Sequence, residues 1–106
     1  MIYFEIMQKT LENWQLEDAK RLKEAFQTQS LGQLQFGQKF GIGSQGMVWQ
    51  YLSGKRPLNI QSLLKFCEGI SVDPESISPT LTKQIKSSSE KFAELKKLHG
   101  SKKNRP

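Results

Sequence analysis

Gln33-Leu34-Gln35-Phe36-Gly37-Gln38-Lys39-Phe40-Gly41-Ile42 runs directly into Gly43-Ser44-Gln45-Gly46-Met47-Val48. The first segment predicts a short helix over 33–40, with Leu34, Phe36, Gly37 and Phe40 as inward positions. Gly37 stands four residues before Gly41, and a side chain of one hydrogen lets two helices cross closely. Gly41-Ile42-Gly43 is a turn. Ser44 can accept a hydrogen bond from the start of the next helix, which runs through Ser53. Val48, Tyr51 and Leu52 give that helix its apolar stripe, and Ile42 and Val48 pin it to the core. Val48 precedes Gly54 by six residues. Two short helices about a tight turn, with these spacings, form the pattern of a helix-turn-helix.

Outward from this segment the pattern stays helical. Upstream, a helix from Asn13 buries Ala19, Leu22 and Phe26, with Glu17, Lys20, Arg21, Lys23 and Glu24 on other faces; Gly32 closes it. Downstream, Gly54 suits a helix C′ position, and Pro57 lies three residues beyond. Asn59 caps a helix with the face Ile60, Leu63, Leu64 and Cys67, which Gly69 is expected to stop. Asp73-Pro74 and Ser78-Pro79 are each a cap followed by a first helical position. The second opens a last helix reaching to about Leu98. There is no sustained two-residue alternation and no internal repeat. The expectation is an all-α fold, a compact bundle of four to five short helices. It divides into an arm at 1–13, a domain at 14–79, a C-terminal helix at 80–98 and a disordered basic tail at 99–106.

The chain has 106 residues, room for one small domain plus tails. Hydrophobic residues make up 36%, below the globular norm of about 45–50%. Mean hydropathy is −0.58 and the pI is near 9.6. One cysteine, Cys67, and one histidine, His99, exclude a disulfide framework and a multi-cysteine zinc site. Cys67 lies on an apolar helix face and reads as a buried thiol rather than a redox sensor. No metal and no cofactor is expected. No apolar run approaches the roughly 18 residues of a membrane helix. Met1 to Met7 lacks a signal peptide's basic start, so the expected location is the bacterial cytoplasm, with the nucleoid.

The charge of +6 is uneven. Residues 1–85 carry a net +1 and residues 86–106 a net +5. Between Glu24 and Glu68 there is no acidic residue, only Lys39, Lys55, Arg56, Lys65, eight glutamines and Asn59. An acid-free, amide-rich, slightly basic segment suits a surface that meets phosphates and base edges.

Three blocks then carry a resemblance: residues 15–23, Gln15-Leu16-Glu17-Asp18-Ala19-Lys20-Arg21-Leu22-Lys23; residues 39–48, Lys39-Phe40-Gly41-Ile42-Gly43-Ser44-Gln45-Gly46-Met47-Val48; and Gly54-Lys55-Arg56-Pro57-Leu58-Asn59 with Ser71-Val72 and Ser78-Pro79. In order and spacing they resemble the DNA-binding domain of lambda-type phage repressors, in the Cro/CI (XRE) helix-turn-helix superfamily, over residues 14–86. The segment from Gly41 to Gly54 is one residue longer than in the lambda repressor, and Ser44-Gln45 reverses the usual order. The resemblance implies a recognition helix in the major groove. It implies that Gln33 contacts a phosphate and braces the start of that helix, and that Ser44, Gln45 and Gly46 lie closest to base edges. It makes Lys23 a phosphate contact on the first helix, and Lys55, Arg56 and Asn59 backbone contacts beyond the recognition helix. Met47, Trp49 and Gln50 complete the expected DNA-binding set. Trp49 has two readings, a DNA contact or a cover for the core edge.

The resemblance also favours pairing through the last helix, where Leu81, Ile85, Phe92 and Leu95 follow heptad spacing broken at Ser88. The expected function is therefore a non-enzymatic transcriptional repressor, a homodimer on a double-stranded, near-palindromic operator. Contact with RNA polymerase is an open addition. With no room for a peptidase domain and no Ala-Gly dipeptide, self-cleavage is not expected. The alternative is an antitoxin that binds a toxin through its terminal segment and autoregulates through the same domain.

Overall fold

The computed structural model describes residues 11–103, with side chains through His99. Six helices follow one another within them: α1 (Asn13–Phe26), α2 (Gln33–Lys39), α3 (Gln45–Leu52), α4 (Ile60–Ile70), α5 (Pro74–Ile77) and α6 (Pro79–Lys103). The described residues contain no strand, so the all-α expectation holds.

The helix starts follow local capping chemistry. Ser44 accepts from the Met47 amide at 3.1 Å, opening α3. Asn59 and Ser62 exchange bonds of 2.7 and 3.0 Å at the start of α4. Asp73 accepts from the Glu75 amide at the start of α5, and the Ser78 hydroxyl accepts from the Leu81 amide at the start of α6. Each such cap satisfies an amide that the helix itself leaves unpaired.

The core gathers one face from every helix. Leu22 and Phe26 of α1 meet Phe36 of α2, Val48, Tyr51 and Leu52 of α3, and Leu63, Phe66, Cys67 and Ile70 of α4. Phe36 lies at the centre, with ring centroids 5.0 Å from Phe26, 4.7 Å from Phe40 and 5.6 Å from Phe66. Burying such a ring contributes about 1.5–3 kcal/mol.

Several sequence expectations need correcting. Leu34 and Leu64 are exposed, not inward. In α4 the inward face is Leu63, Phe66, Cys67 and Ile70, a spacing that turns Leu64 out. Gly69 does not stop α4. The helix continues to Ile70 and closes at Ser71, in the left-handed region at φ 67°. Gly69 is there because the Phe36 and Phe40 rings press on its Cα, where a Cβ would collide. The domain does not end at residue 79, since Leu81 is buried and Ile85 packs against the core. The last helix runs past Leu98 to Lys103, so 99–103 are helical rather than a disordered tail. Residues 1–10 of the expected arm and 104–106 of the tail lie outside the described residues.

Candidate functional site

The junction of α2 and α3 is built on Gly37. Its carbonyl accepts from the amides of Ile42, at 2.9 Å, and Gly43, at 3.3 Å. A Cβ at Gly37 would run into the Gly43 carbonyl oxygen and lie 2.9 Å from Val48 Cγ2. The chain reverses through Gly41 at φ 70° and Gly43 at φ 141°, both costly for other residues. Lys65 Nζ donates to the Gly41 carbonyl at 3.0 Å, tying α4 to the turn. With Val48, Tyr51 and Leu52 buried, α3 is held by one face, and its opposite face is free.

On that free face Ser44, Gln45 and Gly46 are all exposed, at the amide end of the helix. Trp49 is 48% exposed, with Lys55 Nζ 5.9 Å from its ring centroid. The two readings of Trp49 divide here, since half of the indole is on the surface. Lys23, Gln33 and Trp49 come together around one cleft of about 430 Å³, floored by Phe26, Leu31 and Leu52. These three expected DNA contacts therefore share one concavity, although they lie on three helices.

Other expected site residues have different occupations. Met47 is half-buried and packs on the core, lying over Gly43. Asn59 spends its side-chain oxygen as the α4 cap. Gln50 does not present its carbonyl outward: its Oε1 accepts from Arg56 Nε at 3.0 Å. Its backbone carbonyl also accepts from the amides of Lys55, at 2.9 Å, and Arg56, at 3.1 Å. Lys55 and Arg56 themselves are exposed. Of the expected dimer residues, Leu81 is 5% exposed and Ile85 is half-buried in the domain's own core. The first turns of α6 pack on the rest of the domain, which covers Leu81 and leaves Ile85 partly exposed. Phe92 at 67% and Leu95 at 45% do stand free, joined by Leu98 at 62%.

Sequence reading missed one polar assembly. Asp18 is 2% exposed and accepts from Arg21 Nη2 at 2.7 Å and from the Ser78 hydroxyl. Arg21 Nε donates to the Ile77 carbonyl at 2.8 Å. This network ties α1 to the α5–α6 junction. It involves residues some 60 apart in sequence, and only the Ser78-Pro79 cap pattern hinted at it. Cys67 is buried, as expected. Its thiol is pushed up to about 11, first by burial and then by the nearby Asp73 carboxylate.

Among the described residues, no three His, Cys, Asp or Glu side chains come together as a metal-binding group. No described helix is long and apolar enough to cross a membrane. The chain matches no family model and no curated protein.

Proposed function

We propose that this chain is a sequence-specific DNA-binding transcriptional repressor of phage or prophage type, working as a homodimer on a near-palindromic operator. The observation that carries the reading is the presentation of α3. The helix is anchored by Val48, Tyr51 and Leu52, while Gln45, Gly46 and Trp49 remain open on its outer face. No acid interrupts the sequence from Lys39 through Lys65. The resemblance of residues 14–86 to lambda-type repressor domains points the same way.

In this reading α2, the turn and α3 are a helix-turn-helix, with α3 in the major groove. Gln45 carries a donor and an acceptor on one planar amide, the pair that matches an adenine edge. Gly46 lets the backbone approach the bases, and Ser44 opens the helix beside them. Lys23, Gln33, Lys55 and Arg56 flank this centre and meet phosphates, which orient the protein without reading sequence. Bound protein represses by occluding RNA polymerase from an overlapping promoter.

One such helix reads only a few base pairs. Two held about 34 Å apart read two half-sites together. The exposed Phe92, Leu95 and Leu98 on the outer part of α6 are the remaining apolar stripe for a second copy. The same stripe, in a basic segment, is what an antitoxin reading would use to hold a toxin.

A salt titration of DNA binding tests the proposal. A dimer neutralising about 6–10 phosphates loses affinity about 10³–10⁵-fold between about 50 and 200 mM salt. A flat response contradicts the reading. Tight binding to a toxin, with no sequence preference on DNA, favours the alternative.

A further inference from the structure

The two residues that follow each other near the end of α3, Trp49 and Gln50, are each engaged with one of the two cations just beyond the helix. Gln50 holds Arg56 twice, its side-chain oxygen taking the Nε proton and its backbone carbonyl the Arg56 amide; the same carbonyl also takes the amide of neighbouring Lys55. The Trp49 ring lies under the Lys55 ammonium. Arg56 forms no ion pair with any carboxylate among the described residues. The first acidic residues on either side of it in sequence are Glu24 and Glu68. A guanidinium bonded through Nε alone keeps its outer N–H groups free, in the planar fork that fits a phosphate. Fixing it beforehand removes part of the ordering cost that a free arginine pays on binding.

Resting on the DNA-binding reading above, we infer that Gln50 is a positioning residue: it fixes the Arg56 guanidinium for a backbone phosphodiester and does not read a base. The α3 side chains then divide by position. Gln45 and Gly46, at the start, face the bases. Gln50, at the end, serves the phosphate contact of the loop. Trp49 steadies Lys55 in the same way, through the ring face that the ammonium covers. The clamp is set by α3 itself, so a correctly docked recognition helix brings its phosphate contacts already arranged.

The test is a double-mutant cycle on full-length protein: wild type, Gln50→Ala, Arg56→Ala and the double variant. Affinities are measured on the preferred operator, on versions changed base by base, and over a range of salt. Circular dichroism checks folding, and Gln50→Met serves as a volume-matched second variant. The inference expects Arg56→Ala to weaken every sequence by the same factor, about tenfold. It also expects the salt slope to fall by about 1. Gln50→Ala moves both in the same direction by a smaller amount, and adds nothing once Arg56 is gone. In the free protein, the Arg56 Nε proton signal shifts and exchanges faster in Gln50→Ala. A merely structural role for the Gln50–Arg56 bond lowers melting temperature but leaves the salt slope alone, which overturns the inference. So does a changed base preference in Gln50→Ala that persists without Arg56, since Gln50 is then a reader. Failure of wild type to bind DNA is a separate result. It overturns the DNA-binding reading first and the clamp with it.

Discussion

At Gly37 the whole arrangement of α2 and α3 depends on a missing methyl group. A Cβ there would meet the Gly43 carbonyl and Val48, and Val48 is fully buried. Gly37→Ala should destabilise the domain by about 1–3 kcal/mol in urea unfolding. The same substitution at exposed Gly32, which has no heavy atom within 4 Å of the added group, should change stability little. Gln45→Ala is a different experiment, since the residue is exposed and makes no core contact. The DNA-binding reading expects stability unchanged and base preference relaxed at one position per half-site, at about 1–3 kcal/mol on the best operator. Cys67 has its own signature. The folded thiol holds its proton up to about 11, against 9.0 in the unfolded chain. Between these values the folded state binds more protons, so the stabilising contribution is complete below pH 9 and lost as pH rises toward 11. Comparing wild type with Cys67→Ala by urea unfolding across this range should show wild type losing the more stability. These residue-scale features were unequally legible in the sequence. Gly37 and Gly41 were read from spacing alone. The Gln50–Arg56 bond was not legible, because Arg56 comes within reach only when the chain turns back at Gly54, at φ 76°.

At the scale of elements, local chemistry carried most of the reading. Ser44, Asn59, Asp73 and Ser78 each cap the helix expected of them, since a cap needs only residues two or three apart. Ser44→Ala should cost about 1 kcal/mol through loss of the Met47 amide bond. Gly69 shows where such signals fail. A glycine near a helix end reads as a stop, but the same residue also admits the Phe36 and Phe40 rings, and packing decided its role. The buried Asp18 lay beyond sequence reading because its partner Ser78, at the α5–α6 junction, is 60 residues away. Asp18→Ala leaves the Ser78 hydroxyl and Arg21 Nη2 without their shared acceptor. Arg21 is 37% exposed, so water offsets part of the loss. The expected cost is about 2–4 kcal/mol in denaturant unfolding. The division of α6 was also hidden. Its heptad spacing, broken only at Ser88, reads as one stripe, yet Leu81 and Ile85 belong to the domain and Phe92 and Leu95 do not. Phe92→Asp with Leu95→Asp should therefore leave the fold intact. In sedimentation it should abolish a concentration-dependent dimer, while Leu81→Asp unfolds the domain.

For the molecule as a whole, the all-α architecture followed from period and caps, and the candidate surface from the absence of acid between Glu24 and Glu68. What the fold adds is convergence. It brings Lys23, Gln33 and Trp49 to one cleft beside the second half of α3, and gives Met47, Asn59, Leu81 and Ile85 structural tasks. Beyond the domain, α6 extends to Lys103 with its apolar residues uncovered. A domain this small buries too little surface for tight specific binding alone, so pairing and operator binding should reinforce each other by linkage. The central claim, that α3 reads DNA sequence and does so in pairs, is met most directly by selecting bound fragments from a random DNA pool with the wild-type protein. The expected result is a near-palindromic consensus whose half-sites lie about 10 base pairs apart, centre to centre. A pool that stays random after repeated selection would contradict it.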